Sequence, residues 1–390
     1  MYFNSLFWVL IAVAFTALQF VAADAVRTRA AVLSLLGIAG LGLVLKVSPV
    51  GAGILVVSGL SLWLGCRRLA ANSSRDAMGL ALLAIAPLLL AWVLGKLAIA
   101  LDLTRLTPLL FVGVSYLLVK AWSLLKDIMD GKVRDLEPFE VAAYFLHLPT
   151  FVLGPMHYFG EFRETLRRPY ALTGEALVDI FFRFVLGLFK VYALDGLLAP
   201  ISLLGLTGAE RIDLGTLLIG AFVYSFVLYL DFSGYCDMAI AVSRLLGIDV
   251  PENFNWPYLA SSIREFWRRW HITFSRALTA HIFIPLTRKL QRRWSRSPAL
   301  VSVLGYTGTF LFCGYWHGST ANFLLWGLWH AAGLAAHDAW TRNQRRRGIK
   351  PSAQSGVFRN ALDTTLTFAF VSVGWIFFVL PVDKLLRIGW

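Results

Sequence analysis

Two histidines have types and neighbours that could do acid–base chemistry. His317 lies in Gly314-Tyr-Trp-His-Gly-Ser-Thr320, between glycines that let the backbone bend and approach other groups closely. It belongs to a stretch, Ser297 to His337, with no Lys, Arg, Asp or Glu in 41 residues. A neutral imidazole takes a proton from a hydroxyl near neutral pH, and an ionisable group in so apolar a setting is a functional hypothesis by default. A hydrogen-bonded structural histidine fits the same residues. His271 follows Trp267 and Trp270 in Phe266-Trp-Arg-Arg-Trp-His271; it could stabilise an oxyanion or hold a substrate, or be packed core. His330, in Gly-Leu-Trp-His-Ala, sits mid-helix and reads as structural. Asp231 and Asp237 are carboxylates within an apolar run. They could orient an imidazole, pair with an arginine, or lie at a helix end near the interface. The motifs of other chemistries are missing: no HExxH, no GxSxG, no P-loop. His271 and His281 do not have metal-ligand spacing, and Cys66, Cys236 and Cys313 are scattered, so no metal and no disulfide are expected.

The elements that must position these groups are membrane helices. Hydrophobic residues make up 58% of the 390-residue chain and charged residues 15%, against about 45–50% and about 25% in soluble domains. That excludes an ordinary soluble enzyme, a disordered chain and a disulfide scaffold. Apolar runs of about 18 or more residues read as transmembrane helices, and lipid admits only helices or a closed barrel. The expectation is an all-α polytopic membrane protein with about eleven membrane segments, some re-entrant. The net charge of +13 belongs to cytoplasmic loops rather than to a nucleic-acid surface.

Residues 3–22 read as an uncleaved first helix with its basic end, Arg27 and Arg29, inside. Spans at 31–47, 50–65, 77–101 and 107–124 follow with basic residues alternately inside, and 139–153 reads as re-entrant. Residues 175–206 hold one or two segments, and 214–247 a pair interrupted by Asp231 and Asp237. Two more lie in 297–337, and a last one in 361–380. The chain reads as one integral-membrane domain, with N-terminal spans over 1–138 and the chemistry in 139–390. No repeat or inverted half is visible.

Residues 264–296 carry nine basic residues against one acid, Glu265. A helix there puts Trp267, Trp270, His271, Phe274 and Leu278 on one face and Arg268, Arg269 and Arg276 towards the other. Such a helix lies along the cytoplasmic membrane surface. It serves as a topology anchor, or attracts an acidic partner or the phosphates of a nucleotide cofactor. Arg292, Arg293 and Arg296 precede the uncharged hairpin and Arg342, Arg345, Arg346 and Arg347 follow it, so its ends lie inside and the His317 turn lies deep or outside.

Four motifs in order resemble the membrane-bound O-acyltransferases: Tyr229-Leu-Asp-Phe-Ser-Gly-Tyr-Cys-Asp-Met238, Pro251-Glu-Asn-Phe-Asn-Trp-Pro-Tyr258, Phe266-Trp-Arg-Arg-Trp-His271 and Tyr315-Trp-His-Gly318. The match covers about 224–340, with Leu153-Gly-Pro-Met156 a weaker one. It is nearest the bacterial branch of the alginate O-acetylation protein and the teichoic acid D-alanyl transfer protein. The resemblance implies a ring of helices around a transmembrane tunnel. It implies catalytic roles for His317 and His271, with Asp231, Trp316, Trp267, Trp270 and Asn253 supporting, and a donor-docking surface of Arg264, Arg268, Arg269, Arg292 and Arg293. It further implies a multi-pass protein of the bacterial cytoplasmic membrane. Such a protein holds no permanent cofactor, and its acyl group comes from an acyl carrier protein with a phosphopantetheine arm or from acyl-CoA. On the other side stands an exported glycopolymer or an accessory acyltransferase. The lack of a longer insert after Ile284-Pro-Leu286, and Asp338-Ala-Trp340, look like the D-alanyl branch; Pro251-Glu-Asn-Phe-Asn-Trp-Pro leans to the acetylating one. The rival class is a transporter or flippase for an envelope precursor.

Overall fold

The computed structural model describes residues 26–43, 49–71, 76–103, 113–169, 172–209, 212–348 and 357–386; the first helix expected over 3–22 lies outside them. Among the described residues every regular element is helical. Among the described residues five helices are long and apolar enough to cross a membrane: Pro49–Ala71, Ala77–Ala100, Leu214–Leu245, Pro298–His317 and Val357–Val379. The chain is a multi-pass integral membrane protein. Its contacts group into two compact units, residues 1–188 with 235–251, and 189–234 with 252–390.

The first unit holds α1 (Val26–Leu43), α2 (Pro49–Ala71), α3 (Ala77–Ala100), α4 (Val114–Met129), α5 (Pro138–Phe145), α6 (Phe159–Arg167) and α7 (Gly174–Leu188). Leucines and valines of α2 and α3, such as Val56, Leu60, Leu83 and Leu90, point outward, as a lipid-facing surface requires. Gly65 and Ala84 meet where the two helices pack, the small-residue contact by which membrane helices approach. The eight-residue α5 and the 3-10 turn Leu148–Thr150 are too short to cross, as a re-entrant segment would be. Several buried polar groups here are paired. Lys120, 1% exposed, donates to Tyr144 O at 3.2 Å and Thr150 Oγ1 at 3.3 Å. Glu140 pairs with Arg163 at 2.9 Å and Arg167 at 2.6 Å. Arg29 donates to the carbonyls of Leu166 and Arg168 at 3.0 and 2.9 Å, closing the end of α6.

α8 (Leu214–Leu245) corrects the sequence expectation. Residues 214–247 are not two segments but one unbroken 32-residue helix, about 48 Å long at 1.5 Å per residue. The carboxylates do not interrupt it because a helix satisfies its own backbone and Asp237 finds a counter-charge, Arg183 of α7, at 3.0 Å.

The second unit contains α9 (Ile263–Arg269), α10 (Ile272–Leu278), α11 (Ile284–Arg293), α12 (Pro298–His317), α13 (Ala321–Arg346) and α14 (Val357–Val379). The single amphipathic helix expected over 264–296 is instead three helices. The chain breaks at Trp270–His271, and a π-helical turn, Thr279–Phe283, joins α10 to α11. The expected apolar face survives the break: Trp267, Trp270, His271, Phe274 and Leu278 are all buried.

Candidate active site

His317 is the last residue of α12. Pro298 starts that helix at a position where its missing N–H costs nothing. α12 and α13 pack with their backbones nearly touching. A Cβ at Gly314 would lie 2.2 Å from Phe323 O, and one at Gly327 2.3 Å from Phe310 O, so glycine is what permits the approach. The turn is tied down from α13. Thr320 Oγ1 donates to Asn322 Oδ1 at 2.6 Å, and Asn322 Nδ2 donates to Phe377 O at 3.2 Å at the end of α14. The His317 ring therefore stands edge-on to Trp326 and Phe378, both at 5.3 Å between centroids, and its imidazole is exposed.

His271 is held by a different device. Ser262 Oγ accepts from Glu265 N at 3.2 Å and starts α9. After Arg269 the chain turns extended at Trp270, then left-handed at His271, whose φ is +45°. A side chain with a Cβ pays about 1–2 kcal/mol for that conformation. The preceding loop clamps it: Asn255 N donates to Arg269 O at 3.0 Å and Ile272 N to Asn253 O at 2.9 Å. The side chain of Asn253 completes the clamp. Its Oδ1 accepts from Thr273 N at 3.2 Å and Thr273 Oγ1 at 2.9 Å, and lies 3.2 Å from His271 Nδ1. His271, Asn253 and Thr273 are 4%, 1% and 2% exposed. Burial, and after it the neighbouring His317, lowers the His271 pKa well below the ordinary imidazole value, which favours the neutral ring.

The two histidines share one neighbour. Phe274 lies 4.9 Å from His271 and 6.2 Å from His317. Trp316 packs on the same phenyl at 5.2 Å, and Phe232 of α8 meets His271 edge-on at 4.8 Å. Trp267 lies one ring further out, against Trp326 at 5.9 Å, Phe310 at 5.0 Å and His330 at 5.1 Å. His330, fully buried, is enclosed by aromatic rings mid-helix. Trp270 belongs to another wall, with Phe254 at 5.0 Å and Trp375 at 5.4 Å. Asp231 is in the neighbourhood of Asp195 and Tyr224; among the described residues no hydrogen bond or ring contact joins it to either histidine.

The basic residues divide as well. Arg264 pairs with Asp338 at 2.8 Å, and Arg269 with Glu265 at 2.6 Å, so two of the five expected surface cations are already neutralised. Arg268, Arg292 and Arg293 are exposed. Sequence reasoning missed Trp326, Phe378 and Thr273 as neighbours of the histidines. The Trp326–His330 spacing of four along one helix face was a usable signal for the first. Nothing local pointed to Phe378, which arrives from the last long helix.

Residues 79–378 match the model of the membrane-bound O-acyltransferase family. The chain is 28% identical over 286 residues to a teichoic acid D-alanyltransferase of Streptococcus thermophilus, covering 69% of this chain and 68% of that protein. It is 32% identical over 242 residues to a peptidoglycan O-acetyltransferase of Helicobacter pylori, covering 61% and 43%. It is 30% identical over 274 residues to a probable alginate O-acetylase AlgI of Pseudomonas fluorescens, covering 69% and 51%. The chain thus spans about half the length of the acetylating relatives it matches.

Proposed function

Since this chain belongs to the membrane-bound O-acyltransferase family, we propose that it moves an acyl group, D-alanyl or acetyl, from a cytoplasmic thioester to a hydroxyl of an exported cell-envelope polymer. The observation that carries this reading is the pair His317 and His271, one exposed and one buried, both in contact with the Phe274 ring. The relatives named above, two of whose names specify teichoic acid and peptidoglycan, support the polymer class.

The chemistry follows from the two rings. His317 takes the proton of the acceptor hydroxyl as its oxygen attacks the thioester carbonyl. The tetrahedral intermediate collapses, the C–S bond breaks, and the thiolate receives the proton back from His317; an ester and a thiol result, with no change of oxidation state. α12 supports a two-sided arrangement. Its 20 residues span about 30 Å, close to the hydrocarbon thickness, so His317 and the arginines preceding Pro298 belong to opposite faces. By the charge rule the arginine face is cytoplasmic, the side on which a carrier-protein or coenzyme-A thioester is available. The bacterial cytoplasmic membrane is the location this reading requires. Holding both substrates at one point makes the attack effectively intramolecular.

The test is reconstitution in vesicles. A labelled acyl thioester is supplied on the arginine side and the acceptor polymer on the other. Ester label on the polymer, lost in His317→Ala at equal membrane abundance, is the expected result. Polymer translocation without ester formation from either donor would make the protein a transporter. Single cysteines at Ser319 and Arg292 should be labelled by an impermeant thiol reagent from opposite sides.

A further inference from the structure

The clamp around His271 fixes more than the direction of its ring. The atom of Asn253 that faces Thr273 N must be oxygen, because a backbone N–H can only donate. The same oxygen stands 3.2 Å from His271 Nδ1. An amide oxygen accepts and never donates, so the imidazole nitrogen facing it carries the proton. In the neutral ring the proton is then at Nδ1 and the lone pair at Nε2. The sequence alone allowed His271 to be an N–H donor to an oxyanion; the geometry removes that role from its neutral form.

We infer that Asn253 is a positioning residue that locks His271 in the Nδ1–H tautomer, which makes Nε2 the hydrogen-bond-accepting nitrogen of the ring. Whatever group Nε2 meets is then an O–H or N–H donor, not the thioester carbonyl oxygen. This rests on the acyltransferase reading for what the substrate is, but not for the tautomer. Three observations act together. Asn253, His271 and Thr273 are buried, so water does not compete for the amide oxygen. Thr273 supplies two donors to that oxygen and leaves it no freedom to rotate. The left-handed turn at His271 is pinned by the Asn253 carbonyl through Ile272 N, so one residue sets both backbone and ring. The arrangement follows the logic by which a buried acceptor orients a catalytic imidazole, where a wrong tautomer alone is costly.

The experiment is nitrogen NMR of the full-length protein carrying 15N-histidine. His271 is identified by the signals lost in His271→Gln or, independently of that variant's folding, by transfer to the 13C-labelled asparagine carbonyl across the hydrogen bond. A protonated Nδ1 and a bare Nε2 are expected. A protonated Nε2, with or without a proton on Nδ1, overturns the proposal. Asn253→Leu, close in volume but without an acceptor, should lose the tautomer preference and lower kcat about 10²-fold with KM for the thioester little changed. Asn253→Asp keeps an oxygen before Nδ1–H and should recover most of that loss. A wild-type tautomer and kcat in Asn253→Leu would overturn the assignment to Asn253. The spectrum needs no turnover, so a failure of the acyl-transfer reading would show separately, as absent ester formation with the tautomer intact.

Discussion

Each compact unit contains a pair of histidines among aromatic rings, and the pairs are built to opposite ends. In the first unit His147 and His157 lie 5.8 Å apart between centroids, with His157 stacked on Phe162 at 5.2 Å. His147 Nε2 is 2.9 Å from Ser243 Oγ, Tyr144 Oη donates to His157 O at 3.0 Å, and the two rings are 1% and 2% exposed. A serine beside an imidazole is the geometry of a nucleophile and its base, but here serine and imidazole are both buried. In the second unit His271 is equally buried, but His317 is exposed. The difference teaches that aromatic enclosure and burial are common to both pairs and do not by themselves mark a site. What separates the pairs is that one ring of the second, His317, is left exposed.

The sharpest way to break this comparison is to remove one histidine from each pair. His317→Ala should lower acyl transfer by about 10²–10⁴-fold, the range of general-base catalysis, while the unfolding temperature in detergent stays close to wild type, because an exposed ring contributes little packing. His147→Ala should do the reverse. It empties a buried site and strands Ser243, costing about 2–4 kcal/mol in stability, while kcat per folded molecule stays within about twofold of wild type. Equal effects of the two substitutions on kcat would show that the pairs do not differ in the way proposed.

Backbone approach in the second unit gives a smaller effect. Gly314→Ala puts a methyl 2.2 Å from the carbonyl of Phe323, and neither backbone can yield without prying α12 from α13. His317 lies one turn further on, so the opening should move its ring off Trp326 and reduce activity by about ten- to a hundredfold, the penalty of an ångström-scale misplacement. Gly59→Ala is the control from the first unit: nothing lies within 4 Å of its added methyl, and activity and unfolding temperature should be unchanged or slightly raised. An active, stable Gly314→Ala variant would mean the hairpin does not set the position of His317.

What was legible in the sequence follows the same division. His317 stands out as a candidate because its signal is local: glycines flank it, and no charge occurs for 41 residues. The helical membrane class was legible because hydropathy is a summed property. The continuity of α8 was not, because Asp237 is tolerated through Arg183, 54 positions away. The break at His271 was not legible either. Helical periodicity fits Trp267 to Leu278 well, and what overrides it is a set of hydrogen bonds from Asn253 and Asn255 in the preceding loop. The five basic surface residues looked alike in sequence, and only the partners Asp338 and Glu265 separate them.

That separation supports the smallest prediction. Arg292 and Arg293 end α11 and are exposed, with the Arg293 guanidinium 5.4 Å from the centre of the Trp294 ring. Arg264 and Arg269 already hold carboxylates. If the donor is a thioester on an acidic carrier protein, Arg292 and Arg293 are, with Arg268, the exposed cations of that set, and exposed charges act mainly on encounter rate. The double reversal Arg292→Glu with Arg293→Glu should therefore raise the apparent KM for a carrier-borne donor about three- to tenfold and leave kcat at saturation unchanged. Added salt should mimic the reversal in the wild type, since the screening length falls from about 10 Å at 0.1 M to about 3 Å at 1 M. A coenzyme-A thioester should show a milder salt response and no competition from unloaded carrier. Transfer rates with each donor across a salt series decide the matter. A double reversal that leaves the carrier-dependent rate untouched at low salt would remove these arginines from the donor path, and the comparison would rest on the histidines alone.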